Sequence, residues 1–166
     1  ALTPQENLTS TIERLGLERG CLGIEMAPLS AGTLQHIREY LPNLKLEDAR
    51  SAFFKLRQIK KPEEIEKMRQ ANRTNTAGIR ASLDVIRSGV VEHDILETFK
   101  NKVRQAGCDW ESAAFGAGPQ SGESYNIAGD YILQTGDTTR FDVTTIHQFY
   151  FSDLSRCATV GPAPDS

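Results

Sequence analysis

Between Pro62 and Ile86, apolar and small side chains recur every three or four positions: Ile65, Met68, Ala71 or Asn72, Asn75, Ile79, Leu83 and Ile86. That period puts them on one face of a long helix. Pro62 with Glu63, Glu64 and Glu66 marks its first turn, where proline loses no hydrogen bond and acids meet the helix dipole. Ser88-Gly89 ends it. The pattern returns over Val91–Ala106 through Ile95, Leu96, Phe99 and Val103, closed by Gly107, and predicts a second, partner helix. Beyond it the period shortens. Ala113–Gly118 reads as a strand and Pro119–Gly122 as a loop. Thr138–Thr145 and Phe149–Thr159 are rich in Val, Thr, Ile, Phe and Tyr and contain no proline, so they predict two strands joined by a polar turn near Ile146–Gln148.

The amino-terminal part alternates differently. Leu8, Ile12 and Leu15 give a helix over Pro4–Leu17, and Cys21–Met26 is a short apolar strand. Ser30 caps a helix through Tyr40 that carries Leu34 and Ile37 and stops at Pro42. Leu44–Leu46 reads as a brief strand, and Glu47–Arg57 as a third amphipathic helix with Ala49, Phe53, Phe54 and Leu56. The series opens on a helix with no strand before it, so residues 1–57 are expected to be the tail of a small α/β domain. The polar joint Gln58–Lys61 separates them from a second region, residues 58–166. The expected fold class is α/β of the α+β type, with two helices packed on one face of a mostly antiparallel sheet.

Composition changes this picture little. With 39% hydrophobic and 25% charged residues the chain belongs with soluble globular proteins. A net charge of −3, with the basic residues spread along helices, gives no reason to expect nucleic acid or an anionic membrane as partner. No apolar run approaches the ~20 residues of a membrane helix, and no signal-peptide core is seen. Cys21, Cys108 and Cys157 are odd in number and widely spaced, which suits free thiols in a reducing compartment, and the cytoplasm is the expected location.

The candidate chemistry lies in Gly136–Gly161. If its two strands fold back around His147–Gln148, residues whose numbers sum to 295 face each other, and Asp142 lies opposite Asp153. Like charges so opposed, with Cβ atoms about 5 Å apart, destabilise a sheet. They call for a shared proton, a basic side chain or a cation, and a divalent metal fits hard oxygen ligands best. On spacing alone a different register, or two aspartates facing solvent on an edge hairpin, is the better explanation, since Asp pairs eleven apart are common in a chain with 22 acidic residues. His147 suits the turn, and His36 and His93 suit helix surfaces, better than a ligand position.

The words around the pair carry further information. Gly136-Asp137, Asp142 within Phe-Asp-Val, and Tyr150-Phe-Ser-Asp-Leu-Ser-Arg156 resemble the metal-binding hairpin of the pita-bread metallopeptidases: aminopeptidase P, prolidase, methionine aminopeptidase and the metal-free creatinase. Leu56–Ile65 and Gly89-Val-Val-Glu92 are similar to that family's approach to its catalytic domain. The resemblance covers Leu56–Gly161 well and residues 1–55 loosely. It implies that residues 58–166 are the first half of a pita-bread domain, preceded by the end of the family's amino-terminal domain.

The family's chemistry uses two metal ions to activate a water that attacks an amino-terminal peptide bond next to proline. The resemblance implies Asp142 as the ligand held to one ion by both oxygens and Asp153 as the bridging one, with manganese or cobalt expected and zinc an option. It implies that Arg156 supports these carboxylates from behind, the other reading being a cross-strand salt bridge. It puts Tyr125 where the family has a substrate-facing histidine, the other reading being a plain loop aromatic; a phenol can donate to a carbonyl but cannot shuttle protons at neutral pH as imidazole does. The family's later ligands, a His and two Glu, have no counterpart, since no Glu follows Glu123. The chain is therefore expected to be a fragment or truncated copy, inactive alone. Two alternatives stand beside this reading: a non-catalytic module that binds a second copy or a complementing chain, and a creatinase-like hydrolase that works without metal.

Overall fold

The computed structural model describes residues 2–162, with the side chain of Trp110 left out. The chain forms two compact units, Ala1–Lys60 and Lys61–Ser166. In the first, α1 (Pro4–Arg14) is capped by Thr3, whose hydroxyl accepts from the backbone of Glu6 while the Glu6 carboxylate accepts from the Thr3 backbone. Strands β1 (Cys21–Ile24) and β2 (Lys45–Asp48) pair in parallel, joined through α2 (Ala31–Tyr40), and α3 (Arg50–Gln58) follows. Ile12, Ile37, Leu41 and Leu44 make the small core. The last strand and helix start later than the sequence predicts, because Asp48 accepts from the Arg50 backbone and holds Lys45–Asp48 extended up to that point.

The second unit holds α4 (Pro62–Val85), α5 (Glu92–Gln105), β3 (Trp110–Ala117), a 3-10 turn (Gly118–Gly122), β4 (Thr138–His147) and β5 (Tyr150–Thr159). The three strands form one antiparallel sheet in the order β3-β4-β5. Strand alternation sends Thr139, Phe141, Val143 and Thr145 of β4 inward, all fully buried, with the ring of Phe115 of β3 tilted against that of Phe141. These meet Ile79 of α4 and Ile95, Phe99 and Val103 of α5 in a single apolar core.

The buried face of α4 departs from its apolar stripe. Ala71, Thr74, Asn75, Gly78, Ile79 and Ser82 are buried, whereas Ile65, Met68 and Leu83 stay more than a third exposed. Small and polar residues face inward because the helix lies close to its neighbours. The Asn75 amide donates to the Val143 and Ser152 carbonyls (2.9 and 3.1 Å), Thr145 Oγ1 donates to the Ala71 carbonyl (3.0 Å), and Ser82 Oγ to that of Ile95 (3.1 Å). Periodicity located the helix face but not these polar ties.

The hairpin turn is Gln148–Phe149, with φ of 48° and 67°, between the paired residues His147 and Tyr150. Two residues in the left-handed region match the twist of the flanking strands, at a cost of roughly 1–2 kcal/mol for each side chain that has a Cβ. Phe149 is 92% exposed. Phe149→Gly is therefore expected to raise the stability of this unit by about 1 kcal/mol in urea titration, since it relieves the turn and removes little packing.

Candidate metal centre

The turn sits one residue later than the sequence reading placed it, which changes the register. Paired numbers sum to 297: Asp142 faces Ser155 and Thr144 faces Asp153. The two aspartates are not directly opposed. Moving the turn centre by one residue moves the sum by two, so both still project from the same face of the sheet. They are diagonal neighbours, which puts their Cα atoms on the order of 7–8 Å apart. Carboxylates leaning together across that diagonal can reach a common ion, because oxygen–metal–oxygen spans about 4–5 Å. The sheet itself no longer demands a cation between them.

This face is the one turned away from α4 and α5. It carries Ala114 and Gly116 on β3, Arg140, Asp142 and Thr144 on β4, and Phe151, Asp153, Ser155 and Cys157 on β5. Asp142 is about one-third exposed (32%) and has a donor on each oxygen. Ser155 Oγ donates to Oδ1 (3.1 Å) and Arg140 Nη2 to Oδ2 (3.1 Å). Asp153 is exposed and makes no hydrogen bond or ion pair among the described residues. The oxygen-rich donor set fits a hard divalent cation. Two carboxylates fill only part of the six or more positions such an ion takes, and among the described residues no three or more His, Cys, Asp or Glu are grouped so as to hold a metal ion.

Arg156 is not brought to this site. It lies across from Phe141, on the helix-facing side of the sheet, and donates to the carbonyl of Ser155 (2.7 Å). The guanidinium that meets Asp142 is that of Arg140, which the sequence reading passed over. Its signal was present: in a strand, a residue two positions before another shares its face. Arg140 also donates to the Glu123 carbonyl (2.6 Å), which ties the connection between β3 and β4 to the site. Tyr125 lies in that connection, 91% exposed, between two residues that wall the narrow crevice beside Asp142, Glu123 and Asn126. His147 is paired with Tyr150 at the end of the hairpin, five residues from Asp142, and by alternation lies on the opposite face.

Two acids support the connection, one of them buried. Glu92, fully buried at the start of α5, accepts from the backbone N–H of Ala117 (2.6 Å) and of Gly129 (2.9 Å). Asp137, the acid of the Gly-Asp turn, accepts from the Gln134 backbone (2.8 Å) and from the Tyr131 hydroxyl (2.9 Å). Desolvation, and the hydrogen bond to Asp137, hold the Tyr131 phenol above its ordinary value.

The family model described as metallopeptidase family M24 matches residues 66–166. The Xaa-Pro dipeptidase of Lactobacillus helveticus is 28% identical over 171 residues, covering 98% of this chain and 45% of that protein. An uncharacterized hydrolase/peptidase, y4tL, of Sinorhizobium fredii is 25% identical over 158 residues, covering 92% of this chain and 40% of its own. The X-Pro aminopeptidase structure from Thermotoga maritima MSB8 superposes with a TM-score of 0.85 at 21% identity, over 97% of this chain and 45% of that one. The chain thus spans less than half the length of these relatives.

Proposed function

The chain belongs to metallopeptidase family M24 and has part of the pita-bread fold, and from that premise we propose that it supplies the first carboxylates of a divalent-metal site in a peptidase acting next to proline. The observation that carries this reading is the projection of Asp142 and Asp153 from one open face of adjacent strands. Asp142 and Asp153 would be the residues that hold the ions; manganese or cobalt would suit these hard donors, with zinc the next choice. When bound, the ions supply Lewis acidity and a water of lowered pKa for attack on the peptide carbonyl.

The chain's own residues do the rest of what falls to this half. Ser155 orients Asp142 through its hydroxyl. Tyr125, exposed beside the crevice, donates to a peptide carbonyl in the place where the family has a histidine. The connection held by Glu92 and by Arg140 keeps that phenol at the rim of the site. Residues 1–57 are the end of the amino-terminal domain. The remaining metal ligands come from sequence outside this stretch, so the chain alone is inactive; the substrate is a peptide, and a second copy or complementing chain covers the open face. No helix among the described residues is long and apolar enough to cross a membrane.

The test is hydrolysis of an Xaa-Pro dipeptide by the protein containing this chain, stripped with chelator and reloaded with manganese. Asp142→Asn and Asp153→Asn are each expected to lower kcat/KM by about 10³-fold, the several kcal/mol that a bound metal contributes to the transition state. Turnover that survives both substitutions and the chelator would replace this reading with a metal-independent, creatinase-like hydrolase. Absence of hydrolysis in every arm, with a tight metal-free dimer, would leave a binding module instead.

A further inference from the structure

Arg140 holds a fixed positive charge on the carboxylate read above as a metal ligand. The side chains of Arg140 and Asp142 are 27% and 32% exposed, so the contact is partly withdrawn from water. Neighbours on both sides keep the arginine in place. Across β3 lies Gly116, where an added Cβ would come within 2.7 Å of the Gln120 carbonyl oxygen and 3.0 Å of Asn126 Nδ2, so the connection closes tightly over that side. Across β5 lies Cys157, and beyond the strand the Glu123 carbonyl takes Nη1 at 2.6 Å. Both oxygens of Asp142 are therefore engaged by protein side chains, Oδ1 by Ser155 and Oδ2 by Arg140.

A divalent ion held by both oxygens of Asp142 would compete with the positive charge of Arg140 at Oδ2. It would sit within about 5 Å of the guanidinium, where like charges repel strongly in a partly desolvated crevice. The two contacts of Arg140 use different nitrogens, Nη2 for Asp142 and Nη1 for Glu123. The side chain can release the first while keeping the second as a tether.

We propose that Arg140 is a displaceable counter-ion of Asp142, occupying the carboxylate in the absence of metal and setting how much divalent cation is needed to load the site. The proposal rests on the reading of Asp142 as a ligand. It assigns Arg140 a role in metal affinity, opposite in sign to that of a residue that merely orients the carboxylate: a positioning residue strengthens binding, a counter-ion weakens it.

The test is titration of the protein containing this chain with Mn²⁺, with free ion read by its electron paramagnetic resonance signal and folding checked by circular dichroism. Arg140→Leu is expected to bind Mn²⁺ roughly tenfold more tightly than the wild type, the size of one charge-assisted hydrogen bond that no longer has to be broken. Arg140→Lys, which keeps the charge, stays near the wild type. If Arg140→Leu does not fold, Arg140→Gln reports the same loss of charge. Unchanged or weaker Mn²⁺ binding in the neutral variants, with binding lost in Asp142→Asn, overturns the counter-ion and leaves Asp142 a ligand. Undiminished binding in Asp142→Asn overturns the ligand reading and the proposal with it. Absence of binding in the wild type and in the neutral variants overturns both.

Discussion

Glu92→Ala is expected to lower the unfolding free energy of the Lys61–Ser166 unit by about 3–5 kcal/mol, measured by urea denaturation. The carboxylate is fully buried and satisfies two backbone N–H groups, of Ala117 at the end of β3 and of Gly129 within the connection leading toward β4. Truncation leaves both donors without a partner in the interior, at about 1–3 kcal/mol each. It also removes a negative charge from the first turn of α5, where the helix dipole favours one. Glu92→Gln should fall between, because the amide offers one acceptor oxygen and turns a donor toward the other N–H. Both variants should expose residues 118–129 to protease before the rest of the unit unfolds. A loss below about 1 kcal/mol for the alanine variant would mean that water replaces the carboxylate at both donors.

Gly78→Ala is expected to destabilise the same unit by about 1–3 kcal/mol, although alanine is the better helix former by about 1 kcal/mol. The reason is space. A Cβ at this position of α4 would lie 2.6 Å from Val103 Cγ1 and 2.7 Å from Phe99 Cδ2 and Cε2. Both partners are fully buried in α5, so neither can swing into solvent, and the two helices must move apart. The thermal midpoint of the unit should fall by several degrees, at roughly 4–8 °C per kcal/mol for a domain of this size. A rise instead would show that the helices already have room to separate.

Gly78 also shows where a reading of residue types stops. The recurrence of Ile65, Met68, Ile79 and Leu83 located the helix, yet the residues pressed against α5 and the sheet include Thr74, Asn75, Gly78 and Ser82. Hydrophobicity reports which side of an element avoids water. It does not report how close the neighbour comes, and close approach selects small side chains and short polar ties to backbone carbonyls. Glu92 enters the sequence reading only within the Gly89-Val-Val-Glu92 step, and its buried role is not legible there, because its partners lie 25 and 37 residues away and are backbone groups that no side-chain pattern marks.

The sequence by itself determined the elements of the second unit, the antiparallel hairpin, the family likeness, and the shared face of Asp142 and Asp153. That face was safe from error in the turn, since sliding the turn by one residue shifts the pairing by two and returns every side chain to its side. The tertiary structure alone decided the register, which makes the aspartates diagonal and sets Ser155 opposite Asp142. It also decided which guanidinium meets the site, Arg140 on the open face and not Arg156 behind it. The physical reason is that alternation and helical period are properties of one segment and can be counted along it. Register, charge partners and buried hydrogen bonds arise between segments, from turn geometry and packing that become defined only when the chain has closed on itself.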